Sequence, residues 1–261
     1  MLRAIRTAAT GMSAQQSGVD NIANNLANAN TVGYKRSNLV FHDLLYQTMR
    51  AGSEGEQQGI EPAALQMGHG AAAVATVRNF TQGSLLDTGN PLDIALNGDG
   101  FLQVRRPDGS IAYTRDGTLT RNAEGTLVTQ SGLPIEPDIA IPETAVEIHI
   151  SMDGVVSVRL QGELDAVEVG QIELARFANP AGLNPIGGNL YEQTETSGEP
   201  TIGTPGQDGL AVIMQGYLEA SNVDVVQEMV NLIAAQRTYE LNSKMVTTGE
   251  EMLQIANNMK R

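Results

Sequence analysis

Apolar side chains recur every seven positions at the start of the chain. Ile5, Met12, Val19 and Leu26 make one row, and Leu2, Ala9, Gln16 and Ala23 stand three positions before them. This spacing puts both rows on one side of a helix, one row of large residues and one of small or polar ones. Leu2 to Asn30 is therefore predicted as an amphipathic helix. Small residues let a partner come close but bury little apolar area, so the helix depends on that partner. The end of the chain repeats the pattern. Val225, Leu232, Tyr239, Val246 and Leu253 recur at the same interval, alternating with Met229, Gln236, Ser243 and Glu250. Met245, Met252 and Met259 add a second stripe. It reads as core packing within the helix pair or, because Met repacks readily, as an adaptable surface toward other subunits. The two helices are expected to form one antiparallel coiled pair.

Between the helices the period shortens. From Ala73 to about Gln215 the chain reads as short strands, with alternation at Ala73–Arg78, Leu92–Leu96, Val146–Ile150 and Val155–Val158. Gly98-Asp99-Gly100, Pro107-Asp108-Gly109 and Asp153-Gly154 mark turns, the second of them a hairpin. Residues 51–72 hold Gly, Glu and Gln with few large apolar residues and read as a long loop. Residues 195–209 read as a linker returning to the last helix. Ser221 or Asn222 is its expected N-cap, with Asp224 well placed at the positive helix end. The fold class is α+β: long terminal helices paired as an antiparallel coiled coil around a central antiparallel β-domain. Expected domains are 1–36 with 219–261 (terminal helices), 37–72 with 205–218 (connection with an extended loop) and 73–204 (β-rich outer domain).

Composition sharpens this picture. Abundant glycine (28), scarce aromatics (4%) and the absence of Trp suit short strands and turns. No Cys is present, which removes disulfides, thiolate metal sites and a Cys nucleophile. The formal charge of −14 is uneven. Residues 1–36 carry four Lys or Arg and one Asp, residues 219–261 carry four basic and six acidic groups, and the middle is strongly acidic. An acidic middle argues against a nucleic-acid partner, because phosphate neutralisation needs basic patches. Arg3 and Arg6 could open a secretory signal, but Thr7-Ala8-Ala9-Thr10-Gly11 follows where an apolar core belongs. No stretch approaches a membrane span. The expectation is a soluble protein, not membrane-inserted and not exported by the general pathway.

The first helix closes on four Asn in seven residues, at 24, 25, 28 and 30. Asn competes for backbone hydrogen bonds, so this density is unusual in a helix. A C-cap at Asn30 or Gly33 explains the local geometry, and the density suggests amides contacting neighbouring chains. The segment Ala23-Asn24-Asn25-Leu26-Ala27-Asn28-Ala29-Asn30-Thr31-Val32-Gly33-Tyr34-Lys35-Arg36 resembles the signature of the bacterial flagellar rod and hook family. The resemblance continues through Phe41–Arg50, Asp99–Val104, Tyr113–Gly117 and Gln215–Asp224, and covers nearly the whole chain. Within the family, Leu44-Leu45-Tyr46-Gln47-Thr48 points to the distal-rod branch.

That resemblance implies a structural subunit that assembles with copies of itself into a rigid helical tube carrying torque across the periplasm to the hook. It also implies adjacent proximal-rod and hook-side proteins, surrounding P- and L-ring proteins, and export by the flagellar type III apparatus without a cleavable signal. The candidate assembly interface is Ile5, Met12, Val19, Asn24, Asn25, Leu26 and Asn28 with Leu232, Tyr239, Val246 and Leu253. By the same resemblance the segment holding Gln47, Arg50, Glu54, Gln57, Gln58 and Ile60 would sit between neighbouring subunits and keep the tube straight. A proximal-rod or hook subunit is the alternative within the family, and a peptidoglycan-active secreted protein the alternative outside it.

Catalytic chemistry finds little support. Asn97-Gly98-Asp99-Gly100 lacks the alternating ligands and distal Glu of an EF-hand and reads as a turn. His42, His69 and His149 lie far apart with no metal-ligand spacing. No nucleophile elbow or P-loop ending is present, and Asp and Glu are too plentiful for a glycosidase pair to be singled out. No cofactor is expected.

Overall fold

A computed structural model describes residues 2–50, 65–162 and 165–259. The chain folds as two compact units. The first comprises residues 1–27, 37–77 and 224–261, and the second residues 28–36 and 78–223.

Two long helices dominate the first unit, α1 over Leu2–Ala27 and α2 over Val225–Asn258. They run antiparallel, since Ile5 lies against Gly249 and Gly11 against Asn242. The approach is close because the facing residues are small. A Cβ on Gly249 would stand 3.0 Å from Ile5 Cγ1, and Ala8, Ala14 and Gly18 are buried on α1 as Ala235 is on α2. The Asp224 side chain caps α2 by accepting from the Val226 and Gln227 amides at 2.9 and 3.1 Å. This corrects the expected cap at Ser221 or Asn222. Beside the helices, Ser37–Asp43 pairs with Ala71–Arg78, and Tyr46–Arg50 pairs antiparallel with Leu65–Gly68. The expected loop over 51–72 is therefore too long, its C-terminal part being strand. Glu54, Gln57, Gln58 and Ile60 lie outside the described residues.

The second unit holds the β-sheets. Its largest sheet runs in the order Asn184–Gly187, Leu190–Glu192, Ile111–Thr114, Phe101–Arg105, Leu174–Arg176 and Thr201–Gly203, with Ile135–Glu136 also pairing to Phe101–Arg105. Thr201–Gly203 thus turns part of the expected linker at 195–209 into an edge strand. Ala145–Ile150, Val155–Leu160 and Ala166–Gln171 form a three-stranded antiparallel sheet. The expected hairpin at Pro107-Asp108-Gly109 forms, and the expected turn at Asp153-Gly154 closes another, with Gly109 and Gly154 at positive φ. Aliphatic side chains fill the core, among them Ile94, Leu102, Ile135, Ile172 and Leu174, all without solvent exposure. A second cluster is aromatic. Phe80, Phe101, Tyr113, Phe177 and Tyr191 meet edge to face with ring centroids 4.7 to 6.1 Å apart.

Candidate assembly interface

The heptad rows end up on facing sides of the helix pair. Ile5, Met12, Val19 and Leu26 of α1 are half-buried, as are Leu232, Val246 and Leu253 of α2. Tyr239 departs from its row and is exposed. The asparagines divide by side. Asn25 is buried and bonds Ser37 twice, its amide donating to Ser37 O at 2.8 Å and its Oδ1 accepting from Ser37 N at 2.9 Å. Asn28 Oδ1 accepts from Thr31 Oγ1 at 3.1 Å. Asn24 is exposed.

Where the chain leaves α1 and where it enters α2, a buried ionic cluster binds both connections into the second unit. Lys35 Nζ donates to Glu219 Oε1 at 2.6 Å and to Thr81 O at 2.8 Å. Arg115 Nε donates to Glu219 Oε2 at 3.0 Å, and its Nη1 donates to the carbonyls of Gly98 and Gly100. Burial, and then the Arg115 charge, push the Lys35 pKa below its ordinary value, and the Glu219 carboxylate partly offsets them. Beside it, Asn222 Oδ1 accepts from Arg36 N at 2.7 Å while its amide donates to the carbonyls of Asn79 and Thr81. Gly33 is left-handed (φ +69), and a Cβ there would meet the Arg115 and Asp116 backbone at 2.9 Å. Each member of the cluster lies in a separate motif segment quoted above, but their meeting was not read from the sequence. The only signal was that three distant motifs each carry a charge, Lys35, Arg115 and Glu219.

Beside the covered side of α2 runs an exposed Met row, of which Met245 also lines a cavity with Arg3, Ala4 and Thr7 of α1. Leu241, Met245, Thr248, Met252, Ile255 and Met259 follow an alternating four-three spacing, and all six are exposed. Packing inside the helix pair, the first of the two expected readings, does not describe these methionines, which stay exposed beside the covered side. The two faces also differ in kind, because the exposed side of α1 carries Arg3, Arg6, Ser13, Gln16, Ser17 and Asp20. A cavity of about 810 Å³ beside the pair is lined by Arg3, Arg6, Leu44, Met67, His69 and Met245 among others, without a carboxylate. His69 Nδ1 is 2.8 Å from Leu45 O. Among the described residues no cluster of His, Cys, Asp or Glu could hold a metal ion, and no helix is long and apolar enough to cross a membrane.

Comparison with known proteins gives this architecture a family. Residues 5–35 match the model described as flagella basal body rod protein, and residues 95–158 the flagellar hook protein FlgE/F/G D1 domain. Residues 214–259 match the flagellar basal body rod FlgEFG protein C-terminal model. The flagellar basal-body rod protein FlgG of Borreliella burgdorferi is 47% identical over 264 residues, covering the whole of both chains. The chain belongs to the FlgG family of flagellar basal-body rod proteins. In Caulobacter vibrioides the FlgG protein is 46% identical, over 99% of this chain and all of its own. The rod protein FlgF of the same organism is 40% identical, over 90% and 88%. This rod protein is a structural subunit of the distal rod, in a family of structural proteins rather than enzymes, and its place is the flagellar basal-body rod. Membership of that family implies assembly with other flagellar proteins.

Proposed function

We propose that this rod protein self-associates through the outward face of α2 into a rigid helical tube that transmits torque across the periplasm to the hook. The observation that carries the reading is the second heptad seam. Leu241, Met245, Thr248, Met252, Ile255 and Met259 repeat the spacing of a helix-packing surface, yet all six stay exposed among the described residues. A helix that is apolar on two sides needs two partners. One is α1, and the other is a second copy. Tyr239 and Asn24, both exposed, would join contacts between copies. Contact between unlike surfaces of identical copies does not close into a dimer, and it propagates as a helix where the rotation between copies does not close a ring. Adjacent proximal-rod and hook-side proteins would continue the stack, P- and L-ring proteins would surround it, and the flagellar type III apparatus would deliver the chain.

The test is the double variant Leu241→Asp with Ile255→Asp. An unpaired charge buried in a contact costs about 3–5 kcal/mol, so polymer seen by light scattering and electron microscopy should vanish. The cooperative melt of the second unit should be unchanged, since neither residue belongs to it. Polymer forming at the wild-type concentration would remove this face from the interface.

A further inference from the structure

We infer that Met245, Met252 and Met259 form a site of oxidative modification, open in the unassembled subunit, through which a peroxide blocks self-association. The inference rests on the reading of the outward α2 face as a contact between copies. Three observations lead to it. The chain has no Cys, so its readily oxidised sulfur is all thioether. The three methionines stand seven residues apart, two on α2 and Met259 at its C-cap, and are 58%, 47% and 82% exposed, open to a small oxidant. Next to them lie Leu241 and Ile255, themselves more than half exposed, so the same row is the apolar surface offered for packing.

The chemistry balances with hydrogen peroxide as the oxidant. The Met Sδ lone pair attacks one peroxide oxygen and forms the S–O bond as the O–O bond breaks. The departing hydroxide takes up the remaining proton and leaves as water. Sulfur loses two electrons and peroxide gains them. The product is a methionine sulfoxide, a strongly polar acceptor in place of a soft apolar group. In a free subunit water solvates that oxygen. In a packed seam the oxygen must be desolvated with only side chains such as Leu241 and Ile255 around it, and that opposes assembly. Once the seam is covered, peroxide no longer reaches the sulfur. Oxidation therefore acts on subunits awaiting assembly and spares finished polymer.

The experiment uses the full chain. Purified subunit is treated with hydrogen peroxide until peptide mass analysis shows one added oxygen at each of the three positions. Its critical concentration for polymerisation is then compared with that of untreated protein. The expected result is a rise of about tenfold or more for the oxidised chain. In the variant Met245→Leu, Met252→Leu, Met259→Leu, peroxide treatment should leave that variant's own critical concentration unchanged, although Met67, Met152 and Met229 stay exposed and oxidisable. An unchanged critical concentration for the oxidised wild type overturns the inference, as does an equal loss in the treated leucine variant. If the leucine variant does not assemble untreated, reductases acting on both sulfoxide epimers decide. Recovery of polymer from oxidised wild type supports the inference, and no recovery overturns it. If untreated wild type forms no polymer, the self-association reading fails first and takes this one with it.

Discussion

Glu219 carries one negative charge against two buried positive ones. Its Oε1 accepts from Lys35 and from the Gly83 amide, and its Oε2 accepts from Arg115. Removing either cation leaves a balanced pair, whereas removing the carboxylate leaves two cations facing only carbonyl oxygens. Stranding a buried charge costs about 3–5 kcal/mol, while replacing a buried ion by an apolar residue of similar volume is often close to neutral. Denaturant titration should therefore show Glu219→Gln losing about 3–5 kcal/mol and Lys35→Met far less. Equal losses would mean that Lys35 is as indispensable as the carboxylate. A pH series gives an independent readout. Lys35 has a folded pKa below its ordinary 10.5, so between those two values the unfolded chain binds more protons than the folded one. Stability from this group rises with pH across that window, is complete above 10.5, and is lost as pH falls through the folded value. The stability gap between wild type and Lys35→Met should widen in favour of wild type as pH climbs toward 10.5. A constant gap would separate Lys35 from the electrostatics of the cluster.

Among the elements, α2 depends on its first turn for a defined start. Asp224 satisfies two amides that no helical carbonyl can reach, and Asp224→Ala should cost about 1 kcal/mol. Hydrogen exchange at Val226 and Gln227 should quicken, and unchanged protection there would show that the cap is redundant. The cap also shows how far the sequence could be read. Ser221, Asn222 and Asp224 are all capping types in one short stretch, and spacing does not choose among them. Asn222 is taken by Arg36, Asn79 and Thr81, partners more than a hundred residues away, which leaves Asp224 for the helix. The heptad rows were legible because a coiled seam imposes its own period on the chain. Which of the two rows α1 covers was not, because two rows of the same period share one helix and period alone does not choose between them. Phe101–Arg105 lies inside a sheet and has its first four residues buried, so alternation could not mark it. The strands flanking the 47–66 segment are short and mostly exposed, and without a buried face they looked like loop.

For the molecule as a whole, the segment from Gln47 to Gln66 offers the sharpest trial of what makes a tube stiff. It carries Glu54, Glu56 and Glu61 and few large apolar residues, so it adds little to the core of any one copy. A tube bends only if its lengthwise contacts stretch on one side and compress on the other, and a segment wedged along that direction resists the change. Deleting Gln47–Gln66 should leave export and polymerisation intact but give curved or flexible tubes in images of purified basal bodies. Straight rods of normal length would show the segment to be slack, and missing rods would show that assembly itself needs it. The Lys35–Glu219 bond has a consequence of another kind, because it joins positions 184 apart. It acts as a draw-string. Until it is tied, the stretches destined for α1 and α2 are the free ends of a long chain and meet rarely. Once it is tied, each stretch begins within a few residues of one knot, and their pairing becomes a local search at high effective concentration. The expected order is sheets first and helices afterwards, so pulse-labelled hydrogen exchange should show α1 and α2 protected last. A nascent chain that has not yet delivered Glu219 holds most of its strands but cannot begin the shaft.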